Sequence, residues 1–506
     1  MNGFDFKMRK KRLILNSTTS LLLQIVTIVY GFVLPRLILG HFGSEINGLV
    51  NSISQFLGLI TFFEFGLGAV VQSALYKPLA ENDEKEISKI LHSAGRFFSR
   101  LAAILLGYVL ILIVIYPLIV KTGFDFLYTS TLFIAISISS FAQYYFGIVN
   151  SLLLNADQRG YVEYTLSIIT LVLNVILSII LIKLNASIQL VKLSTSLVFC
   201  IRPIMLTLYV RRHYNIDRHI QYTGEPIKQK WNGIAQHVAA VVLNNTDTIV
   251  LSIFATLQDV SIYSVYHLVI NAIKNLSISL TRGVQALVGE LWSKQEIDKL
   301  RNYFGWIEWV IHTSTTIIFG SSIFLIVPFV SVYTKGVSDA NYIQPLFGVL
   351  IVIAFAGTCY RLPYNIMILA AGHYKQTQSN YIIAAILNIV ISIATVKFFG
   401  LVGVAVGTLV ALYYQTFWMA MYDSRNLIKW PFKNFLKQCF VDATSIAIVA
   451  VLFQFLPQKV ENYFDWVVLA VELVGIMIII ELLMNLIFNK HRIVLVKEKV
   501  MKRGKR

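Results

Sequence analysis

The chain has 506 residues, of which 57% are hydrophobic and only 14% charged. Soluble domains sit nearer about 45–50% apolar and about 25% charged, so an excess spread from end to end excludes an ordinary soluble protein and implies a polytopic membrane protein. A formal charge of +17 would suggest a nucleic-acid partner, but the positions of the charges argue otherwise.

A spanning helix needs roughly 20 mostly apolar residues. Fourteen segments qualify: 13–37, 46–72, 101–120, 127–154, 163–183, 187–210, 234–256, 260–282, 307–333, 343–371, 380–397, 402–422, 438–456 and 465–488. The basic cluster Lys7 to Arg12 precedes the first of them without a signal-peptide cleavage pattern, so an uncleaved first helix is expected. Cys200, Cys359 and Cys439 all fall inside apolar runs, where reduced packing residues are expected rather than a disulfide or metal site.

Fourteen spans put both termini on one side. The segments on that side carry 33 lysines and arginines and the opposite loops carry five. The positive-inside rule then places both termini in the cytoplasm. The net charge is thereby explained as a topology signal and an attraction to anionic headgroups.

Two pairs of segments match at nearly one offset. Leu173-Asn174-Val175-Ile176-Leu177-Ser178-Ile179 resembles Leu387-Asn388-Ile389-Val390-Ile391-Ser392-Ile393, and Glu86-Ile87-Ser88-Lys89-Ile90 resembles Glu296-Ile297-Asp298-Lys299-Leu300. An offset spanning six helices leaves both halves in one orientation, related by an axis along the membrane normal. The expected fold class is all-α, with about 14 transmembrane helices in two pseudo-symmetric six-helix lobes plus two C-terminal helices. The segments are a lobe at 1–210, a cytoplasmic linker at 211–233, a lobe at 234–422, two further helices within 423–488 and a basic tail at 489–506.

Between Gln236 and Arg282 lie two spans joined by a very short turn. At 100° per residue, Gln236, Asn244 and Asp247 share one side of the first, and Tyr263, His267, Asn271 and Lys274 line one side of the second. Lipid cannot solvate a polar stripe, so this hairpin is expected to line a wet cavity. An ionised lysine at mid-membrane costs roughly 2.5–3.5 kcal/mol on insertion scales, so Lys274 needs an anion, an acidic partner such as Asp247, or water. Arg36, Arg202 and Arg361 each stand near a proline (Pro35, Pro203, Pro363), where a guanidinium either satisfies freed carbonyls or meets phosphate oxygens with its fork. Arg36 lies near a span end and is also placed to snorkel. Glu64 and Asp247 are candidates for gating or for coupling to a proton or sodium ion; for Glu64 the competing reading is a pair with a basic residue. Asn51 and Gln24 either extend the polar cavity toward sugar hydroxyls or join helices.

Catalysis is not indicated. There is no GxxxxGK[ST], the nine histidines lack metal-ligand spacing, and the outer loops are too short for an active site. No cofactor or metal is implied.

Further residues carry a family likeness. Gly40-His41-Phe42-Gly43 with Asn47-Gly48-Leu49, the run 62–75 with Glu64 before Phe65-Gly66, and the hairpin 247–269 together resemble the polysaccharide flippases of the multidrug/oligosaccharidyl-lipid/polysaccharide exporter superfamily. The resemblance implies a transporter in a bacterial cytoplasmic membrane; fourteen spans carry no oligomer signal, so a monomer is expected. It would move undecaprenyl-diphosphate-linked oligosaccharide from the inner to the outer leaflet by alternating access, with basic cavity residues on the diphosphate and the first helix lining the cavity. Membrane lipids, a downstream polymerase and chain-length machinery are the implied partners. A peptidoglycan-precursor flippase or a multidrug exporter is the alternative on this architecture; a membrane polymerase or glycosyltransferase is disfavoured by the short outer loops.

Overall fold

The computed structural model describes residues 3–64, 67–120, 123–217, 220–222, 224, 227, 234–456 and 459–492. The side chains of 3–10, 234–236, 279, 280, 282, 283 and 286 fall outside that description, so Gln236 is placed only as a helical backbone position, and most of the basic tail is likewise outside. The described chain divides into two compact units, Met1–Ser261 and Ile262–Arg506.

Unit 1 holds α1 (Gly3–Gly58), a 3₁₀ turn (Leu59–Glu64), α2 (Leu67–Glu81), α3 (Glu84–Ile119), α4 (Phe126–Ala142), a π segment (Gln143–Gly147), α5 (Ile148–Ala156), α6 (Gly160–Lys183), α7 (Ile188–His213) and α8 (Ile234–Phe254), with the start of α9 (Leu257–Leu280). Unit 2 holds the rest of α9, α10 (Arg282–Ser293), α11 (Ile297–Tyr333), α12 (Pro345–Tyr360), α13 (Leu362–Ala370), α14 (Tyr374–Asn426), α15 (Phe432–Phe453) and α16 (Tyr463–Phe488). The lobes drawn from the repeat part at 211–233, whereas by packing α8 goes with unit 1, where it meets α1.

Eleven helical stretches among the described residues are long and apolar enough to cross a membrane. Two of them run 54 and 53 residues, far beyond one bilayer, and each bends sharply inside. The bends fall at Gly43 (φ 83°) and Gly400 (φ 53°), conformations that glycine adopts without a Cβ penalty. Each of these stretches therefore supplies two spans. With α9, whose polar stripe lowers its hydropathy, all fourteen segments read from the sequence fall on helix, and the chain is a multi-pass, all-α membrane protein. Large apolar side chains such as Leu110, Ile176, Val390 and Leu483 point outward, as lipid-facing surfaces require.

The span at 46–72 is not one regular helix, however. It tightens into the 3₁₀ turn that ends at Glu64, and α2 resumes at Leu67. The span at 127–154 is likewise interrupted by the π segment, which closes i→i+5 bonds and shifts the register of the side chains after it.

The repeat has a physical counterpart. Asn174 and Ser178 on α6 are fully buried, and so are Asn388 and Ser392 at the matching places on α14. Asn174 Nδ2 reaches the Thr195 carbonyl on α7 at 3.5 Å; Asn388 Nδ2 donates to Thr408 Oγ1 across the α14 bend at 3.0 Å. In each half a buried amide ties one span to the next. The second match also recurs in structure: both copies lie at the start of a helix of 36 or 37 residues, α3 and α11, that runs unbroken from an amphipathic surface stretch into a span.

The turn between α8 and α9 is set by reciprocal bonds. Thr256 Oγ1 accepts from the Asp259 amide at 3.0 Å, while Asp259 Oδ2 accepts from the Thr256 amide at 3.1 Å and from its hydroxyl at 2.7 Å. This is a capping box that starts α9 immediately after α8 stops. Asp259→Ala should lower stability by about 1 kcal/mol, the usual worth of a helix cap, measurable as a fall in melting temperature of the purified protein.

Candidate functional site

Four residues of the α9 stripe form a ladder one turn apart within unit 2. The Tyr263 ring stacks on His267 with centroids 5.2 Å apart. The Asn271 amide nitrogen lies 2.9 Å from His267 Nδ1. One turn on, Lys274 Nζ lies 5.1 Å from the centre of the Phe355 ring of α12, and the same ring stands 5.3 Å from His267. A cation over an aromatic face is attracted by the ring quadrupole, which offsets part of the loss of water.

Arg361 joins this group from the break between α12 and α13. It caps both helices, and Pro363 follows at the second position of α13. Its Nη1 is buried without a hydrogen-bond partner. The guanidinium lies within electrostatic reach of Lys274 and of the Tyr381 phenol. Among the described residues of unit 2, no carboxylate pairs with either cation. Two positive groups held together without a counter-ion repel one another, and a buried donor left unbonded costs further free energy. Both penalties vanish when a divalent anion enters, and a guanidinium fork suits phosphate oxygens.

Beside the cations lies an apolar groove of about 310 Å³. Ser277, one turn beyond Lys274, and Leu362, next to Arg361, line its near end; Trp306, Val310 and Ile318 of α11 line its flank. The Cys359 thiol also meets the Ser277 hydroxyl.

The other sequence candidates are placed differently. Arg202 does not serve the carbonyls freed by Pro203. Its Nη2 pairs with Glu163 at 3.5 Å and its Nη1 donates to Ser167 Oγ at 3.4 Å, both on α6. Among the described residues Glu64 pairs with no basic side chain either; it accepts a hydrogen bond from the Tyr144 hydroxyl, presented by the π segment. Asn51 spends its amide on the Asn47 carbonyl of its own helix at 2.8 Å, and Asn47 donates to Ser261 Oγ at 2.7 Å, the joining role of amides between helices. Arg36 lies along α1, with Nη1 beside Gly40, and Gln24 is half-buried. The α8 stripe divides: Asn244 is exposed while Asp247 is 3% exposed within unit 1.

Phe355, Ser277 and Cys359 complete the site and were not anticipated. The run 343–371 is apolar on every side, so no periodicity marks the face Phe355 occupies. The signal available was the match in depth between Lys274 and an aromatic of a neighbouring span, which needs the packing to be known.

No protein-family model matches the chain, and comparison with curated proteins finds no match. Solved structures do match. A structure described as the lipid II flippase MurJ in an inward closed conformation covers 95% of this chain and 100% of its own, with a TM-score of 0.69 at 16% identity. An inward-facing multidrug resistance transporter of the MATE family covers 80% of this chain and 95% of its own, with a TM-score of 0.56 at 15% identity. A MOP superfamily transporter from Pyrococcus furiosus, whose description notes a binding pocket of reversed polarity, covers 83% of this chain and 97% of its own, with a TM-score of 0.55 at 15% identity. The chain therefore has the fold of MOP superfamily transporters over nearly its whole length.

Proposed function

We propose that this protein is a flippase of the bacterial cytoplasmic membrane that moves an undecaprenyl-diphosphate-linked oligosaccharide from the inner to the outer leaflet, by alternating access and without catalysing a reaction. The observation that carries this reading is the cation pair of unit 2, Lys274 with Arg361, which has no counter-ion among the described residues of that unit. A diphosphate supplies the missing charge, and the apolar groove beside it suits a polyprenyl chain. A multidrug exporter for cationic compounds would be repelled by the same pair. The half-buried His267 and Asn271, on the same stripe as Lys274, are the polar groups suited to meet a sugar.

The diphosphate is common to lipid-linked oligosaccharides and to the peptidoglycan precursor, and one described structure of the same fold is a lipid II flippase. The discriminating experiment is depletion of the protein in its host, with mass spectrometry of polyprenyl-diphosphate glycans and a membrane-impermeant glycosidase to locate them. Accumulation of one protected repeat unit, resistant to the enzyme from outside, is expected. Accumulation of the peptidoglycan precursor would move the cargo to the alternative. Absence of any accumulating lipid-linked glycan, in a host without a second flippase, would sink the reading.

A further inference from the structure

A second polar centre lies in unit 2, apart from the cation pair, where α11 packs against α15 and α16 and meets the end of α14. Glu308, His312, Asp423, Asp442 and Glu481 are all buried there, none more than 4% exposed. Most are satisfied. Glu308 Oε1 accepts from the Tyr364 hydroxyl at 2.6 Å and Oε2 from the Trp430 indole at 2.9 Å. Asp442 Oδ2 accepts from His312 Nδ1 at 2.7 Å and Oδ1 from Gln438 at 3.2 Å. Glu481 Oε1 accepts from Asn485 at 2.8 Å.

Asp423 differs. It is 1% exposed, and neither carboxyl oxygen has a hydrogen-bond partner. It stands in the last turn of α14, three residues before Asn426, where unpaired helix carbonyls disfavour a negative charge. Glu308 lies within electrostatic reach and, holding a donor on each oxygen, is the member of the pair equipped to stay ionised. The groups facing the two carboxyls are the Tyr364 phenol from α13, the Cys439 thiol from α15, the His312–Asp442 pair, and Arg492 beyond α16. Arg492 donates to the Gly305 carbonyl and reaches Glu308 electrostatically. Two neighbouring buried carboxyls with one such counter-charge cannot both remain ionised at small cost.

We infer that unit 2 contains a proton-binding site, with Asp423 as the acceptor and Glu308 as its ionised partner. A proton taken from hydronium converts Asp423 to the neutral acid, leaves water, and relieves the like-charge contact with Glu308. His312, one turn from Glu308 on α11, has a buried Nε2 without a partner and extends the protonatable row toward α15. Any movement that exposed the end of α14 to water would release the proton, so occupancy is linked to the conformation of unit 2. This site is separate from the Glu64 and Asp247 positions suggested by sequence, and it does not depend on the identity of the cargo.

The test is infrared difference spectroscopy on the purified full-length protein in lipid nanodiscs, in H₂O and D₂O. The wild type should show at pH 7 a carboxylic C=O band that shifts in D₂O. Asp423→Asn should remove one protonated carboxyl per molecule while gel filtration remains monodisperse. Glu308→Gln should move that band. Absence of any protonated carboxyl in the wild type at pH 7 would overturn the inference without recourse to a variant, as would an unchanged band in a folded Asp423→Asn protein. None of these readouts uses a transport substrate, so their failure is distinguishable from failure of the proposed function.

Discussion

Lys274→Ala lowers transport of the lipid-linked diphosphate by about 10- to 100-fold, the equivalent of one charge-assisted hydrogen bond of about 1.5–3 kcal/mol, and Lys274→Glu abolishes it. The charge reversal acts twice: it removes the attraction for the anion and supplies Arg361 with an internal partner in place of substrate. Arg361→Ala should match Lys274→Ala, and Arg361→Lys should restore little, because an ammonium has no planar fork. Arg202→Gln is the contrasting variant. Its guanidinium is already engaged by Glu163 and Ser167, so it should lose thermal stability and keep most transport. The measurement is complementation of a depleted host, with undecaprenyl diphosphate binding to purified protein read as thermal stabilisation. Full activity in Lys274→Glu would remove the cation pair from the mechanism.

Gly48→Ala prevents unit 1 from packing. An added Cβ would sit 1.7 Å from the Leu257 carbonyl oxygen, and the obstruction is backbone, which has no rotamer to yield. The cost should exceed the usual overpacking range of about 1–3 kcal/mol, with loss of monodisperse protein on gel filtration. Gly31→Ala, in the same helix with nothing within 4 Å of the new atom, should leave folding unchanged or slightly improved. Equal behaviour of the two variants would refute the close approach of α1 to the α8–α9 turn.

Much of the fold was legible because lipid imposes a simple rule: apolar runs long enough to span must be helical. The α9 stripe was legible for the same reason, since a polar side chain in such a run must face something other than lipid, and Tyr263, His267, Asn271 and Lys274 do adjoin one another or Phe355. What the sequence does not show is partnership across helices. The choice of Arg202 for Glu163, 39 residues away, and of Glu64 for Tyr144, 80 residues away, depends on packing. The acidic centre was hidden differently. Asp423 falls just past the expected span 402–422 and reads as a solvated helix end, and although Glu308 and His312 stand at i, i+4 inside the expected span 307–333, their partners Tyr364, Trp430 and Asp442 come from other elements that no spacing reveals.

The uninterrupted passage of α3 and α11 from surface to span makes each a lever. At 1.5 Å per residue α3 is about 54 Å long, against about 30 Å of hydrocarbon, so about 24 Å of rigid rod extends beyond the lipid. A helix with no hinge at the boundary cannot tilt inside the membrane without swinging its outer arm, and a 10° tilt would carry the far end by about 4 Å, the arm length being set by the same helical rise. The two arms begin with matching residues, Glu86 to Ile90 and Glu296 to Leu300, so the halves of the protein present equivalent pointers to the water. Whatever occurs within the bilayer is thereby displayed outside it, where a spin or fluorescent label on an exposed position such as Lys85 or Asp298 can read it.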